Sequence, residues 1–188
     1  MNDDMVPSNK AAQAATTSGV AAVRRLGLQF GLAAGAACAL WLLFLQLTDN
    51  NPLGPKQLMG QLLVPMAAAG SQWLLRRTLA PARPGVGRAL AVGGLTVLVA
   101  AALAAGSLWG LARGVGEPAL VRNRTEMEEI VRVQQAIRAP EKRNPQFEAA
   151  EMREVGQLTV NDMAAATFKR VLLLGLLGAL PAGIFLRK

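Results

Sequence analysis

Charged residues are clustered along the chain and leave four windows without any, at 26–47, 58–75, 89–112 and 171–186. As helices rising about 1.5 Å per residue, these windows would run roughly 33, 27, 36 and 24 Å, against a hydrocarbon core about 30 Å thick. A helix that is apolar on every side must be covered by a large protein interior or by lipid, and a 188-residue chain encloses too little interior to cover four. The pattern predicts an all-α, integral membrane four-helix bundle. Its spans are expected at about 26–47, 58–75, 89–112 and 163–186, with a polar helical segment over 113–162 between the third and the fourth.

Stop and start signals refine this outline. Residues 1–23 have no sustained apolar period and are expected to form a flexible cytoplasmic tail. The run from Arg24 to Leu47 is longer than the apolar core of a secretory signal, and no small-x-small cleavage pattern follows it, so it is expected to stay as the first span. Gly35-Ala36-Ala37-Cys38 lacks the leucine of a lipid-attachment signal. The stretch "TDNNPLGPK" is dense in turn formers and predicts a hairpin connection, and "RRTLAPARPGVGR" a Pro/Gly-rich one carrying Arg76, Arg77, Arg83 and Arg88. In the polar segment, Thr125 and Glu128 read as a capping box opening a helix with an apolar stripe at Met127, Ile130, Val131 and Ile137, closed by Pro140. Asn144-Pro145 predicts a short helix ending near Gly156. Thr159 and Asp162 form a second capping box, which starts the last helix near Val160 and places Lys169 and Arg170 at the membrane interface.

Composition agrees: 52% of residues are hydrophobic and the mean hydropathy is +0.31. The net charge of +8 does not point to nucleic acid, because the arginines sit at the ends of the apolar windows and no basic run is interleaved with aromatics. By the positive-inside rule, Arg24, Arg25, the second loop, Arg187 and Lys188 place both termini in the cytoplasm, in a bacterial inner membrane. The segment 113–170 pulls the other way with ten basic residues beside nine acidic ones, but long loops translocate with less regard to charge.

Small residues four apart allow close helix approach in lipid. Gly27, Gly31 and Gly35, then Gly106 and Gly110, then Gly175, Ala179 and Gly183 are therefore helix-packing candidates, for an intramolecular bundle or for a homo-oligomer or other membrane partner. Gln61, Pro65, Ala68 and Gln72 share one stripe of the second helix, either facing a neighbouring helix or lining a polar recess. The chain has no histidine and one cysteine, Cys38, and it shows no P-loop or dinucleotide pattern. No catalytic, cofactor or metal-binding residues are assigned, and Glu126, Glu128 and Glu129 read as salt-bridge partners for the arginines among them.

The organisation resembles an uncharacterised bacterial membrane family, domain of unknown function 4199. The likeness lies in the "GLQFGLAAG" glycines, the "GRAL" entry to the third helix, the polar loop after it and the "LLGLLGALPAGIFLRK" ending. It implies a four-span fold and a membrane location and carries no activity. The expected function is a non-enzymatic scaffold or partner-organising protein; the alternative is a small transporter or channel-like oligomer with Gln61 and Gln72 along its path.

Overall fold

The computed structural model describes residues 6–81, 85–139 and 143–185, with side chains from Thr17 onward. Arg83, Pro140, Arg187, Lys188 and the first five residues lie outside the described residues. Among the described residues the regular secondary structure is all helical, without a strand: α1 (Val6–Leu47), a 3-10 turn (Pro55–Gln57), α2 (Leu58–Gln61), α3 (Leu63–Thr78), α4 (Gly85–Val115), α5 (Glu117–Ile137), α6 (Pro145–Gly156) and α7 (Val160–Phe185). Three helical stretches are long and apolar enough to cross a membrane: Thr17–Leu47, Gly85–Val115 and Val160–Phe185.

The segment expected as a tail is instead helical from Val6 and continuous with the first span. Alanine-rich sequence has no reason to stop a helix that is already propagating, so an absent apolar stripe did not mean an absent helix. The second window, expected as one span, is interrupted at Leu62. Pro65 has no N–H to offer the carbonyl of Gln61, and the ladder breaks just before it, although Leu62 keeps helical dihedrals (φ −65°, ψ −16°). A third correction concerns Thr125, which lies in the middle of α5 and bonds back to Val121 O at 3.1 Å. The helix opens earlier, behind Gly116 (φ 81°, ψ −171°), where Pro118 occupies the first turn.

Other ends follow their local chemistry. Asp49 (φ 55°) ends α1 in a Schellman arrangement, with Asn50 N–H bonded to Leu45 O at 2.9 Å and Asp49 N–H to Gln46 O at 3.3 Å. The Asn144 side chain accepts from Gln146 N–H at 3.0 Å to start α6. At α7, Asp162 accepts from both the hydroxyl (2.6 Å) and the N–H (3.0 Å) of Thr159, while Asp162 N–H donates back to Thr159 Oγ1.

Helices α3 and α4 form the inner pair of the packing, each touching both α1 and α7. Paired neighbours fix the directions: Gly27, Gly31 and Gly35 climb α1 alongside Leu95, Val99 and Leu103 of α4, whereas Gly175 and Gly183 descend α7 past Val97 and Leu90. Thus α1 and α4 run one way, α3 and α7 the other. The ends of α1 and α4 and the start of α7 gather at one pole, where α5 and α6 form a cap. The largest core cluster, including Ala34, Cys38, Val64, Ala68, Val97, Ala100, Ala104 and Val171, lies midway along the helices.

Candidate functional site

Building upward from the backbone, the first feature is the contact faces of α4. A Cβ on Gly31 would sit 2.7 Å from Val99 Cβ and 2.9 Å from the Thr96 carbonyl oxygen; one on Gly27 would meet Leu95 at 2.7 Å, and one on Gly35 would meet Leu103 at 2.6 Å. On the other side of α4, a Cβ on Gly175 would press on Val97 at 2.5 Å and one on Gly183 on Leu90 at 2.7 Å, while Ala179 is 2% exposed. These stripes are filled by α4 of the same chain. Gly106 and Gly110 have nothing around them within 4 Å and do not serve this packing. Four unassigned helical glycines do: Gly60 beneath Trp41, Gly70 against Phe30, Gly93 against the Gln72 amide, and Gly178 against Pro65. Their signal lay in pairing with a bulky residue on another helix, which spacing along one helix does not reveal.

The stripe Gln61, Pro65, Ala68 and Gln72 faces inward, and both amides are buried. Gln72 Nε2 donates to Ala179 O at 2.9 Å, linking α3 to α7, and Gln61 Nε2 donates to Gln57 Oε1 at 3.4 Å. The Oε1 atoms of both have no hydrogen-bond partner among the described residues. They do not share a recess, since fully buried Val64 and Ala68 lie between them. Beside Gln72, Thr96 Oγ1 lies 3.0 Å from Ser71 Oγ, which donates to Ala68 O at 2.7 Å.

A second polar group forms where the packed helices meet the cap. Asn51, in the hairpin loop, donates to Asn123 Oδ1 (3.2 Å) and Glu126 Oε2 (2.7 Å) of α5 and accepts from Leu53 N–H (2.9 Å). Arg122 pairs with Glu126 at 3.3 Å and Asp49 at 3.6 Å, and Arg124 donates twice to Leu158 O. Below this clasp lies a cavity of about 360 Å³ between the hairpin loop, α5 and α7. Leu53, Leu58, Met127 and Met163 contribute apolar wall, Gln57, Asn123 and Thr167 are buried polar members, and Arg170 is its one charged lining residue. Thr167 Oγ1 donates to Gln57 Oε1 at 3.4 Å, and Asn123 Nδ2 donates to Met163 Sδ at 3.1 Å.

Farther out, α5 and α6 pair as a charged arm. Arg138 bonds Glu151 at 2.7 Å, and Gln135 Nε2 reaches both Glu148 O and Glu151 Oε2. The hydrogen bond from Arg138, then that from Gln135, holds the Glu151 carboxyl below its ordinary range. Val133, Ile137 and Phe147 remain exposed on the arm. Arginine lies over tryptophan near both poles, Arg77 on Trp73 at 4.0 Å and Arg113 on Trp109 at 4.2 Å to the ring centroid. No family model, curated protein or solved structure matches the chain.

Proposed function

We propose that this chain is a four-span integral membrane protein, similar to domain of unknown function 4199, that acts without catalysis as a scaffold, holding its α5–α6 arm outside a bacterial inner membrane to engage a partner. The carrying observation is the pair of Trp/Arg collars. Contacts of Ser71 with Thr96 and of Gln72 with Gly93 put Trp73 level with about residue 93 of α4. Along α4 the backbone levels of the two tryptophans are then about 24 Å apart and those of the two arginines, whose heads fold back onto the rings, about 36 Å, against a hydrocarbon core of about 30 Å. Interfacial tryptophan and snorkelling arginine are the anchors such a boundary selects.

The girdle between the collars supports the same reading, since Leu40, Leu43, Phe44, Met66, Leu98, Leu173 and Leu177 are exposed. Such a surface in water would be a large aggregation liability. In the fourth crossing α2 and α3 act together, 58–78, about 31 Å long despite the break at Leu62. Orientation follows from charge: the pole with Arg24, Arg25, Arg76, Arg77 and Arg88 has no acidic residue among the described residues, whereas the cap mixes both signs. That pole and both termini are cytoplasmic.

Scaffolding is favoured over transport because the Gly27/Gly31/Gly35 and Gly175/Ala179/Gly183 stripes are spent within the chain and Gln61 and Gln72 lie in separate, closed settings. The arm offers what a partner needs, exposed apolar groups ringed by charge. A photo-crosslinking residue at Ile137 or Phe147 in native membranes tests the reading. One stoichiometric adduct with a different protein is expected; only self-adducts, together with solute flux from liposomes of purified protein, would replace scaffold with transporter.

A further inference from the structure

We propose that the outward face of α7 docks a spanning helix of another membrane protein, one that carries a carboxylate at mid-depth opposite Arg170; this rests on the four-span reading. Register sets the depth. Gly175 lies against Val97, Ala179 against Gly93, and the Trp109 indole N–H donates to Asn161 Oδ1 at 3.0 Å, so Arg170 stands level with about residue 102 of α4. That level is a rise of about 14 Å from the collar near residue 93 and about 10 Å from the collar at Trp109, and not the interface that the start of α7 alone would give it. A cation at such depth is costly, and in spanning helices it is found paired, turned inward or facing water. Arg170 is exposed, makes no ion pair or hydrogen bond among the described residues, and borders a cavity that no carboxylate lines. Lys169 beside it is exposed and has no ion pair among the described residues either.

The face around Arg170 has the spacing that pairs helices. Ala166, Arg170, Leu173, Leu177, Leu180 and Ile184 are all exposed, and they follow one another at alternating offsets of four and three. That period of 3.5 residues makes a straight seam for a left-handed helix pair, and one polar residue within an apolar seam fixes register and partner. Charge then selects the occupant. A second copy lying parallel would set Arg170 against Arg170, and none of the windows 26–47, 58–75, 89–112 and 171–186 holds a carboxylate to answer it. The occupant is therefore a different chain with Asp or Glu inside its span, a carboxylate to which the guanidinium fork donates two parallel hydrogen bonds.

The test places the full chain in phosphatidylcholine liposomes with designed single-span helices that carry a leucine seam of the same spacing and either Glu or Gln at its centre. Association is read by energy transfer from a donor on Val20→Cys, in the Cys38→Ala background, to an acceptor on the designed helix. The Glu helix should bind about tenfold more tightly than the Gln helix, the scale of an interhelical hydrogen bond between designed helices in lipid. Arg170→Gln should lose that advantage, and Arg170→Glu should transfer it to a helix with central Lys, which also shows that the variant is folded. Moving the Glu two turns toward either end should abolish the advantage. Equal binding of the Glu and Gln helices to the parent, or an unchanged preference in Arg170→Gln, overturns the proposal, because water in the neighbouring cavity would then serve the guanidinium. Stronger transfer between parent copies than to the Glu helix overturns it in favour of a homo-oligomer. Insertion is read separately, without any added helix, from a fluorophore on Leu177→Cys in the same background. Quenching by acyl-brominated lipid without a preference for Glu keeps the spanning reading and removes the docking one; no quenching removes both.

Discussion

Glycines in this chain have two unlike fates, and substitution separates them. At Gly31 the neighbours of an added methyl are Val99 Cβ and the backbone oxygen of Thr96, neither of which can rotate away. Gly31→Ala must therefore push α1 off α4, an overpacking strain of about 1–3 kcal/mol, and Gly31→Leu more. Gly106→Ala meets no neighbour and gains helix propensity, so it should be neutral or up to about 1 kcal/mol stabilising. Thermal unfolding in detergent should thus show a lower Tm for Gly31→Ala and an equal or higher one for Gly106→Ala; equal Tm values for the two would discredit the α1–α4 contact. Gly116 is a case of conformation, not space. Its φ of 81° with ψ of −171° is a region open essentially to glycine alone, so Gly116→Ala should cost about 1–3 kcal/mol and misdirect α5, which can be read as faster proteolysis of the arm.

Helix ends were the most legible elements, because a cap is local chemistry. Asn144-Pro145 and Thr159 with Asp162 marked the starts of α6 and α7, and the structure has the bonds that spacing implies. Thr125 with Glu128 has the same spacing but lies within a helix already running, so the hydroxyl turns back to Val121. The break at Leu62 was half legible: Pro65 lacks the N–H that the ladder needs, but a hydropathy window averages across it. The Asn51–Asn123–Glu126 clasp and the cavity beneath it join positions more than 70 apart in the chain, and no pattern along one strand of sequence reveals them. The arm itself is pH-sensitive in a defined direction. A carboxyl held below its ordinary range contributes stability that is present above the unfolded value and lost as pH falls through the lowered folded one. With Cys38→Ala as background and spin labels at Gln134→Cys and Ala149→Cys, the α5–α6 distance should be narrowly distributed at neutral pH. It should broaden once Glu151 is protonated, and Glu151→Gln should be broad at both. A distribution equally narrow at both would remove this ion pair from the arm's closure.

For the whole molecule, the number of crossings turns on its weakest span. Three helices have the length and hydropathy to cross alone, and α3, 16 residues long, falls short at about 24 Å. A chain that crossed three times would leave 58–78 on the far side, so Val20 and Ala80 would face opposite compartments. The packing opposes this. Phe30 lies against Gly70 and Trp41 against Gly60, so α2 and α3 run along the second half of α1 in the opposite sense and return the chain toward the pole that holds Arg24 and Arg25. Buried Gln72 also bonds the backbone of α7 close to the pole opposite the cap, which a segment lying at the cap's surface could not reach. Single cysteines at Val20, Ala80 and Phe147, all exposed and placed in the Cys38→Ala background, resolve the question with an impermeant maleimide on intact spheroplasts. Four crossings with the arm outside predict labelling of Phe147→Cys at once, and of Val20→Cys and Ala80→Cys only after the membrane is permeabilised. The reverse of all three would invert the protein but keep its four spans. Val20→Cys and Ala80→Cys reacting from opposite sides would leave α2 and α3 outside the bilayer, and with them the enclosed setting of Gln61 and Gln72.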